Sequence, residues 1–356
     1  MKILTIIGAR PQFIKASVVS RAIAADTQLL ERIVHTGQHF DANMSEVFFG
    51  QLGLPRPDHE LNINGGSHGE MTGRMLAALE EVIVAEQPDR VLVYGDTNST
   101  LAGALAAVKL HVPVAHIEAG LRSFNMQMPE EINRILTDQI SDVLYCPTDV
   151  AIQNLADEGF AHKSAEVLKV GDVMQDSALF FAQYARAPEG KAMEDGFILA
   201  TLHRAENTDD RARLAAILDA INQLHRETAP VILPLHPRTR AAIAQFDLDL
   251  VAHVVDPVGY LEMLWLLQHS GLVLTDSGGL QKESFFFGKP CVTMRDQTEW
   301  LELVTLGANR LGGANRDRIV AAAKESIGLT VEDNDQIYGG GEAGVKIAVH
   351  LATGAN

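Results

Sequence analysis

The sequence predicts an α/β protein built from two Rossmann-like, doubly wound parallel sheets. Three observations carry that expectation. Short β-branched runs alternate with amphipathic helical stretches nearly from end to end. The strand-like runs are continuously apolar, the pattern of parallel strands covered on both faces. They are also too many for one comfortable sheet, and 356 residues suit about two domains of ordinary size.

Taken in order, the first half offers "ILTII", "RIVHT", "RVLVYG", "VPVAHI" and "VLYCP" as strands. Pro11, just past the first strand, suits the opening position of a helix. "STLAGALAAVKLH" reads as a helix behind the third strand. The second half offers "FILATL", "VILPLH", "AHVVDP", "GLVLT" and "CVTMR", with "RLAAILDAINQLH" as a helix between the first two. The weakest join is "EVLKVGDVMQDSA", Glu166 to Ala178. The expected division is residues 1–170, residues 171–340, and a terminal helix within 341–356 that packs back on the N-terminal domain. The two domains should face each other across a cleft formed by strand carboxyl ends, where α/β proteins bind ligands.

Composition narrows the function. The chain is 47% hydrophobic and 21% charged, as globular domains are. A net charge of −17 argues against a nucleic-acid or acidic-membrane surface, so an anionic ligand needs a local cluster of cations. Cys146 and Cys291 each lie beside a proline in apolar context, which reads as reduced and buried. The first apolar run is too short for a signal sequence and none reaches 18 residues, so a cytoplasmic protein is expected. Gly339, Gly341 and Gly344 match G-x-G-x-x-G, but no strand precedes them and they read as a hinge. The first strand–helix turn, "IIGARPQFIK", also lacks the dinucleotide pattern, which disfavours a nicotinamide enzyme.

Chemistry-bearing residues cluster after the strands. Arg10 and Lys15 follow the first and read as a clamp for phosphate. Gln38 and His39 follow the second. Asp96 ends the third, and Glu118 comes at the end of the fourth. Glu130 and Glu131 open a helix in "PEEINR", with Arg122 in the loop before it. His116, inside an apolar strand, reads as structural. Carboxylates converging on one sheet edge point to acid/base work. The second half adds His203, Arg204 and Glu206 in "LHRAEN" and His236 in "PLHPRTR". "TDSGGLQKES", after "GLVL", is a strand–glycine–helix turn. Its free N–H groups at Ser277, Gly278 and Gly279 suit an anion, with the acid Glu283 one turn inside.

"GARPQFIK", "TGQH", "GDTNST", "HIEAGLRS", "PEEINR", "LHRAEN", "TDSGGLQKE" and "RDQTE" occur in that order from Met1 to about Gly344. Together they resemble the non-hydrolysing UDP-N-acetylglucosamine 2-epimerase family. The resemblance implies a GT-B-like pair of domains, a homodimer, no cofactor and no metal, and inversion at sugar C2. Carried over by position, it implies Asp96, Glu118, Glu130 and His203 as catalytic residues. Arg10, Lys15, His39, Arg122, Arg204 and His236 would contact UDP or substrate, Met263 would pack on uracil, Ser277, Gly278 and Gly279 would bind the diphosphate, and Glu283 the ribose hydroxyls.

The implied chemistry explains these residue types. C2–H of a pyranoside is not acidic until the C1–O bond to UDP breaks. A carboxylate can then take the proton, leaving a 1,2-unsaturated glycal and bound UDP, and return of a proton to the other face inverts C2. Where much of the family has Arg-Pro-Glu after "RDxTE", this chain has Trp300, Leu301 and Glu302. "GARPQFIKAS" and "RDQTEW" more closely resemble the branch acting on UDP-2,3-diacetamido-2,3-dideoxyglucuronate in O-antigen synthesis. UDP-N-acetylglucosamine epimerisation, GT-B glycosyl transfer and a non-catalytic nucleotide-sugar sensor are the alternatives.

Overall fold

The computed structural model describes residues 1–38, 56–189, 194–334 and 336–354. The chain divides into two compact units, Met1–Phe180 with Gln336–Asn356 and Phe181–Asp335.

In the first unit, β1 (Lys2–Ile7), β2 (Leu30–His35), β3 (His59–Glu60), β4 (Arg90–Tyr94), β5 (Val114–Ile117), β6 (Val143–Cys146) and β7 (Glu166–Lys169) form one parallel sheet. Its order is β3-β2-β1-β4-β5-β6-β7. The winding reverses between β1 and β4, which makes their carboxyl ends the topological switch point. Helices α1 (Arg10–Ala24), α2 (His68–Glu86), α3 (Asn98–Lys109), α4 (Pro129–Ile140), α5 (Asp149–Asp157) and α6 (Val173–Ala182) connect the strands. Leu4, Ile6, Val91 and Val93 are fully buried, in one core with the small residues of α3. Those small residues let α3 approach closely: a Cβ on Gly103 would lie 2.8 Å from Ile6 Cδ1.

The second unit repeats the plan with β8 (Phe197–Thr201), β9 (Val231–Pro234), β10 (His253–Val255), β11 (Ser270–Thr275), β12 (Cys291–Thr293) and β13 (Asn309–Leu311). The order is β10-β9-β8-β11-β12-β13, all parallel, with its switch point between β8 and β11. Its helices are α7 (Ala205–Thr208), α8 (Arg211–Glu227), α9 (Pro237–Phe246), α10 (Tyr260–His269), α11 (Gly278–Phe286), α12 (Leu301–Thr305) and α13 (Arg316–Ser326). Ile217, Leu218 and Ile221 of α8 bury an apolar stripe against β8, β9 and β11.

The last helix, α14 (Ala343–Thr353), lies along α1 in the first unit. The glycines before it are packed, which corrects their reading as a hinge. A Cβ on Gly339 would meet Gly171 Cα at 2.8 Å and one on Gly341 would meet Leu179 Cδ1 at 2.9 Å, and the N–H groups of Ala343 and Gly344 donate to Asp176 at 3.1 and 2.7 Å. Burial raises the Asp176 carboxyl above the ordinary aspartate value against the pull of those two N–H groups. Both cysteines are free and buried. Among the described residues no helix is long and apolar enough to cross a membrane.

Candidate active site

The switch point of the first unit assembles a set of charged groups. Gly8 follows β1, and a Cβ there would lie 2.0 Å from Thr36 Oγ1 and 2.2 Å from Ser99 Oγ, so only glycine lets the β1 turn meet the end of β2 and the start of α3. Arg10 then opens α1. Gln12, in the first turn of α1, accepts from Gly8 and Ala9 N–H at 2.8 and 2.9 Å. Its amide donates to Tyr94 O at 2.7 Å and to Thr97 and Thr100 at 3.0 Å, tying the β1 turn to the β4 turn. Gln38 Oε1 accepts from the N–H and hydroxyl of Ser99 at 3.1 and 2.8 Å, at the start of α3.

One turn into α1, Lys15 Nζ stands 2.5 Å from Glu118 Oε2. Burial opposes the Lys15 charge, yet Glu118, with Asp172 and Asp96 farther off, holds its pKa above the ordinary lysine value. Glu118 itself follows β5 in a left-handed backbone conformation, φ +69°. A side chain there carries strain that its surroundings must hold, a feature concentrated at functional sites. Its carboxylate lies beside Gly95, whose Cβ would be 3.2 Å from Oε2. Asp96 follows β4 and pairs with Arg134 of α4, while Asn133 donates to Asp96 O at 2.9 Å.

The "PEE" acids separate sharply. Glu130 is exposed on the first turn of α4. Glu131 is buried, accepts from Ser123 N–H, Ser123 Oγ and Phe124 N–H at 2.8–2.9 Å, and pairs with Arg134 at 3.1 Å. Glu131 therefore shapes the loop, and Glu130 is the acid left outward. Arg122, expected from the resemblance to contact UDP or substrate, is instead held inside the first unit. Its side chain is 1% exposed, with Nε and Nη2 on Glu158 at 2.6 and 2.8 Å and Nη1 on Asp138 at 2.7 Å. A guanidinium whose donors are spent on two carboxylates is a buried tie. His39 lies outside the described residues.

The second unit builds its set on β8, β9 and β11. Asp276, fully buried after β11, accepts from His203 N–H, Arg204 N–H and the Asn207 amide at 2.9–3.2 Å. Its Oδ1 is 3.3 Å from His203 Nδ1. Partial burial lowers the His203 pKa, with help from Arg204 and His236 and against the pull of Asp276. The His236 ring, whose Nδ1 caps α9 by accepting from Arg238 N–H, is centred 6.3 Å away. Among the described residues Arg204 is in no ion pair.

Ser277 caps α11 and leaves Gly278 and Gly279 to begin it, so their N–H groups have no partner within the helix. Gln281, like Gln12, knits neighbouring strand ends, accepting from Thr298 and Asn309 at 2.6 and 2.9 Å. Trp300 Nε1 donates to Gly278 O at 2.9 Å and its ring carries the Lys282 ammonium at 4.3 Å. The tryptophan thus packs under the glycine turn. Glu283 is buried in α11, and burial with this neighbouring carboxylate pushes the Tyr260 phenol well above its usual value. Met263 is half-buried one turn beyond Tyr260 on α10.

A family model described as UDP-N-acetylglucosamine 2-epimerase matches residues 21–352. The chain belongs to this family. Within it, the chain is 71% identical over 352 residues, 99% of both chains, to the UDP-2,3-diacetamido-2,3-dideoxy-D-glucuronate 2-epimerase of Pseudomonas aeruginosa. It is 42% identical to the UDP-N-acetylglucosamine 2-epimerase of Methanocaldococcus jannaschii, covering 99% of this chain and all of the relative. The crystal structure of a 2-epimerase of that archaeon with UDP-GlcNAc and UDP superposes at a TM-score of 0.87, 40% identity, over 99% of this chain and 100% of that one. The GT-B-like fold expected of the epimerase family is thus shared with solved members. The structure of Phytolacca americana UGT2 with UDP-2fluoro-glucose and pterostilbene reaches a TM-score of 0.57 at 11% identity, a likeness of fold alone.

Proposed function

We propose that this chain inverts C2 of a UDP-sugar, with UDP-2,3-diacetamido-2,3-dideoxy-D-glucuronate as substrate and the mannuronate epimer as product. The observation that carries the substrate is the 71% identity, end to end, to a relative of that name. In this reading the glycine turn at Ser277–Gly279 takes the diphosphate, Glu283 the ribose hydroxyls, Met263 the uracil face, and Arg10 and Lys15 add positive charge. The C1–O bond breaks with its electron pair leaving on UDP. One of Asp96, Glu118 and Glu130 removes the C2 proton as the C1–C2 double bond forms. A proton then returns to the opposite face while a diphosphate oxygen re-adds at C1. His203, oriented by Asp276, serves the leaving group. The left-handed Glu118, fixed by Lys15, supports a carboxylate held for such a task.

A homodimer, a cytoplasmic location and a role in O-antigen synthesis belong to the same proposal. UDP-N-acetylglucosamine is the second substrate reading, supported by the 42% identical relative of that name. The deciding experiment is NMR of the purified protein with each UDP-sugar in deuterated water. Deuterium should enter C2 of both epimers with no acceptor added. Epimerisation with the C2 proton retained would sink the elimination mechanism, and turnover that requires an acceptor would indicate a glycosyltransferase.

A further inference from the structure

Behind the first unit's carboxylates lies a buried pair that the proposed reaction does not consume. His116, in β5, is fully buried among Val114, Ala115 and Ile117. Its Nε2 is 2.7 Å from Gly95 O and its Nδ1 is 2.7 Å from Asp138 Oδ1. A carbonyl oxygen only accepts, so Nε2 carries hydrogen. An ionised carboxylate also only accepts, so the Nδ1–Oδ1 contact must hold a further proton on one of its two atoms. Asp138 Oδ2 accepts from Gly120 N–H at 3.1 Å and from Arg122 at 2.7 Å, and Arg122 in turn pairs with Glu158. Among the described residues the pair is ion-paired with Arg122 and, through it, with Glu158.

The ends of this relay matter most. Gly95 immediately precedes Asp96, and Gly120 comes two residues after Glu118. Gly95, Glu118 and Gly120 all have positive φ, +62°, +69° and +77°. Gly95 and Gly120 adopt positive φ freely, but Glu118 does not, so the strained turn that carries it needs an external hold. The relay Gly95 O, His116, Asp138, Gly120 N–H supplies one at both ends. Packing alone would be met more cheaply by an aliphatic residue in this apolar strand, because each buried polar atom must find a partner.

We propose that His116 and Asp138 are positioning residues for the reaction, fixing the turns that carry Asp96 and Glu118 relative to each other. The proposal rests on reading those two acids as proton-transfer groups. Two variants each keep one end of the relay. His116→Gln can still donate near Nε2 to Gly95 O but loses Asp138, and His116→Asn does the reverse. Both should bind UDP with unchanged affinity and keep KM, while kcat falls about 10²-fold, the scale of a 1 Å misplacement of reacting groups. Wild-type kcat in the two variants would overturn the proposal. So would equal losses of kcat and UDP binding, which mark general disruption.

Should neither variant fold, nitrogen-15 NMR of the wild-type imidazoles decides. The expected signature is a protonated Nε2 and a strongly downfield Nδ1 proton that moves in Asp138→Asn. An Nε2 without hydrogen would refute the relay. That spectrum needs no turnover, so it still reads the pair if the protein proves not to be an epimerase.

Discussion

Asp96, Glu118 and Glu130 reach their places by three different means: an arginine partner from α4, a strained backbone fixed by Lys15, and an exposed first helical turn. What they share is a carboxylate that an amide can imitate in shape but not in proton transfer. Asp96→Asn, Glu118→Gln and Glu130→Gln are each expected to lower kcat by roughly 10²–10⁴-fold while UDP affinity by calorimetry holds. Near-normal turnover would remove that residue from the set. Arg122 should behave in the opposite way. Arg122→Met strands Asp138 and Glu158 without their common cation and is expected to cost about 3–5 kcal/mol of stability in urea denaturation. A normally stable variant with a raised KM would return Arg122 to the substrate.

At the scale of elements, the sequence shows best what is buried on both sides. β1, β4 and β5 are legible because a central parallel strand must be apolar throughout. β7, with its exposed, half-buried, half-buried, exposed pattern in "EVLK", reads as a join, and β3 has only two residues. Strand-end acids are legible for the same topological reason, since parallel strands bring their carboxyl ends to one edge. Their partners are not. Arg134 for Asp96, Asp138 for His116 and Asp276 for His203 come from other elements, and no local spacing encodes those meetings. Glu31 is a further case, a polar residue early in β2 with no local signal of its partners. It faces a cavity of about 230 Å³ with Ser20, Ile23, Leu29, Ile33 and Asp58, and Thr5 Oγ1 donates to it at 2.5 Å. Burial raises its pKa to about 7, against the Thr5 and Ser20 hydroxyls and with help from Asp58. The folded value exceeds the ordinary 4.5, so below about pH 4.5 the group costs nothing. As pH rises to about 7 the unfolded chain sheds this proton first and stability falls, and above 7 the full cost stands. Glu31→Gln should therefore stabilise the protein by about 1–3 kcal/mol at pH 8 and by almost nothing at pH 4.5. Equal effects at both pH values in urea denaturation would show that the carboxyl is not the cause.

For the whole molecule, the governing quantity is a net charge of −17 set against a substrate that is itself an anion. A uronate adds a negative charge to the diphosphate, and it must meet a cation or several N–H donors to offset its desolvation. With Arg122 spent on Asp138 and Glu158, Arg204 is a cation still placed to meet that carboxylate. Its backbone is fixed on Asp276, and among the described residues its guanidinium is in no ion pair. Trp300 meanwhile packs beneath the glycine turn, where the commoner family pattern would set an arginine. If Arg204 receives the sugar carboxylate, the diacetamido uronate should exceed UDP-N-acetylglucosamine in kcat/KM by about 10²–10³-fold. Arg204→Met should then remove most of that preference by slowing the uronate alone, leaving the neutral sugar near its wild-type value. Because the contact is between charges, the preference should also shrink as salt rises from low to physiological strength. Parallel losses on both sugars would place Arg204 on the diphosphate. A wild-type preference for UDP-N-acetylglucosamine would overturn the substrate while leaving the chain in its family.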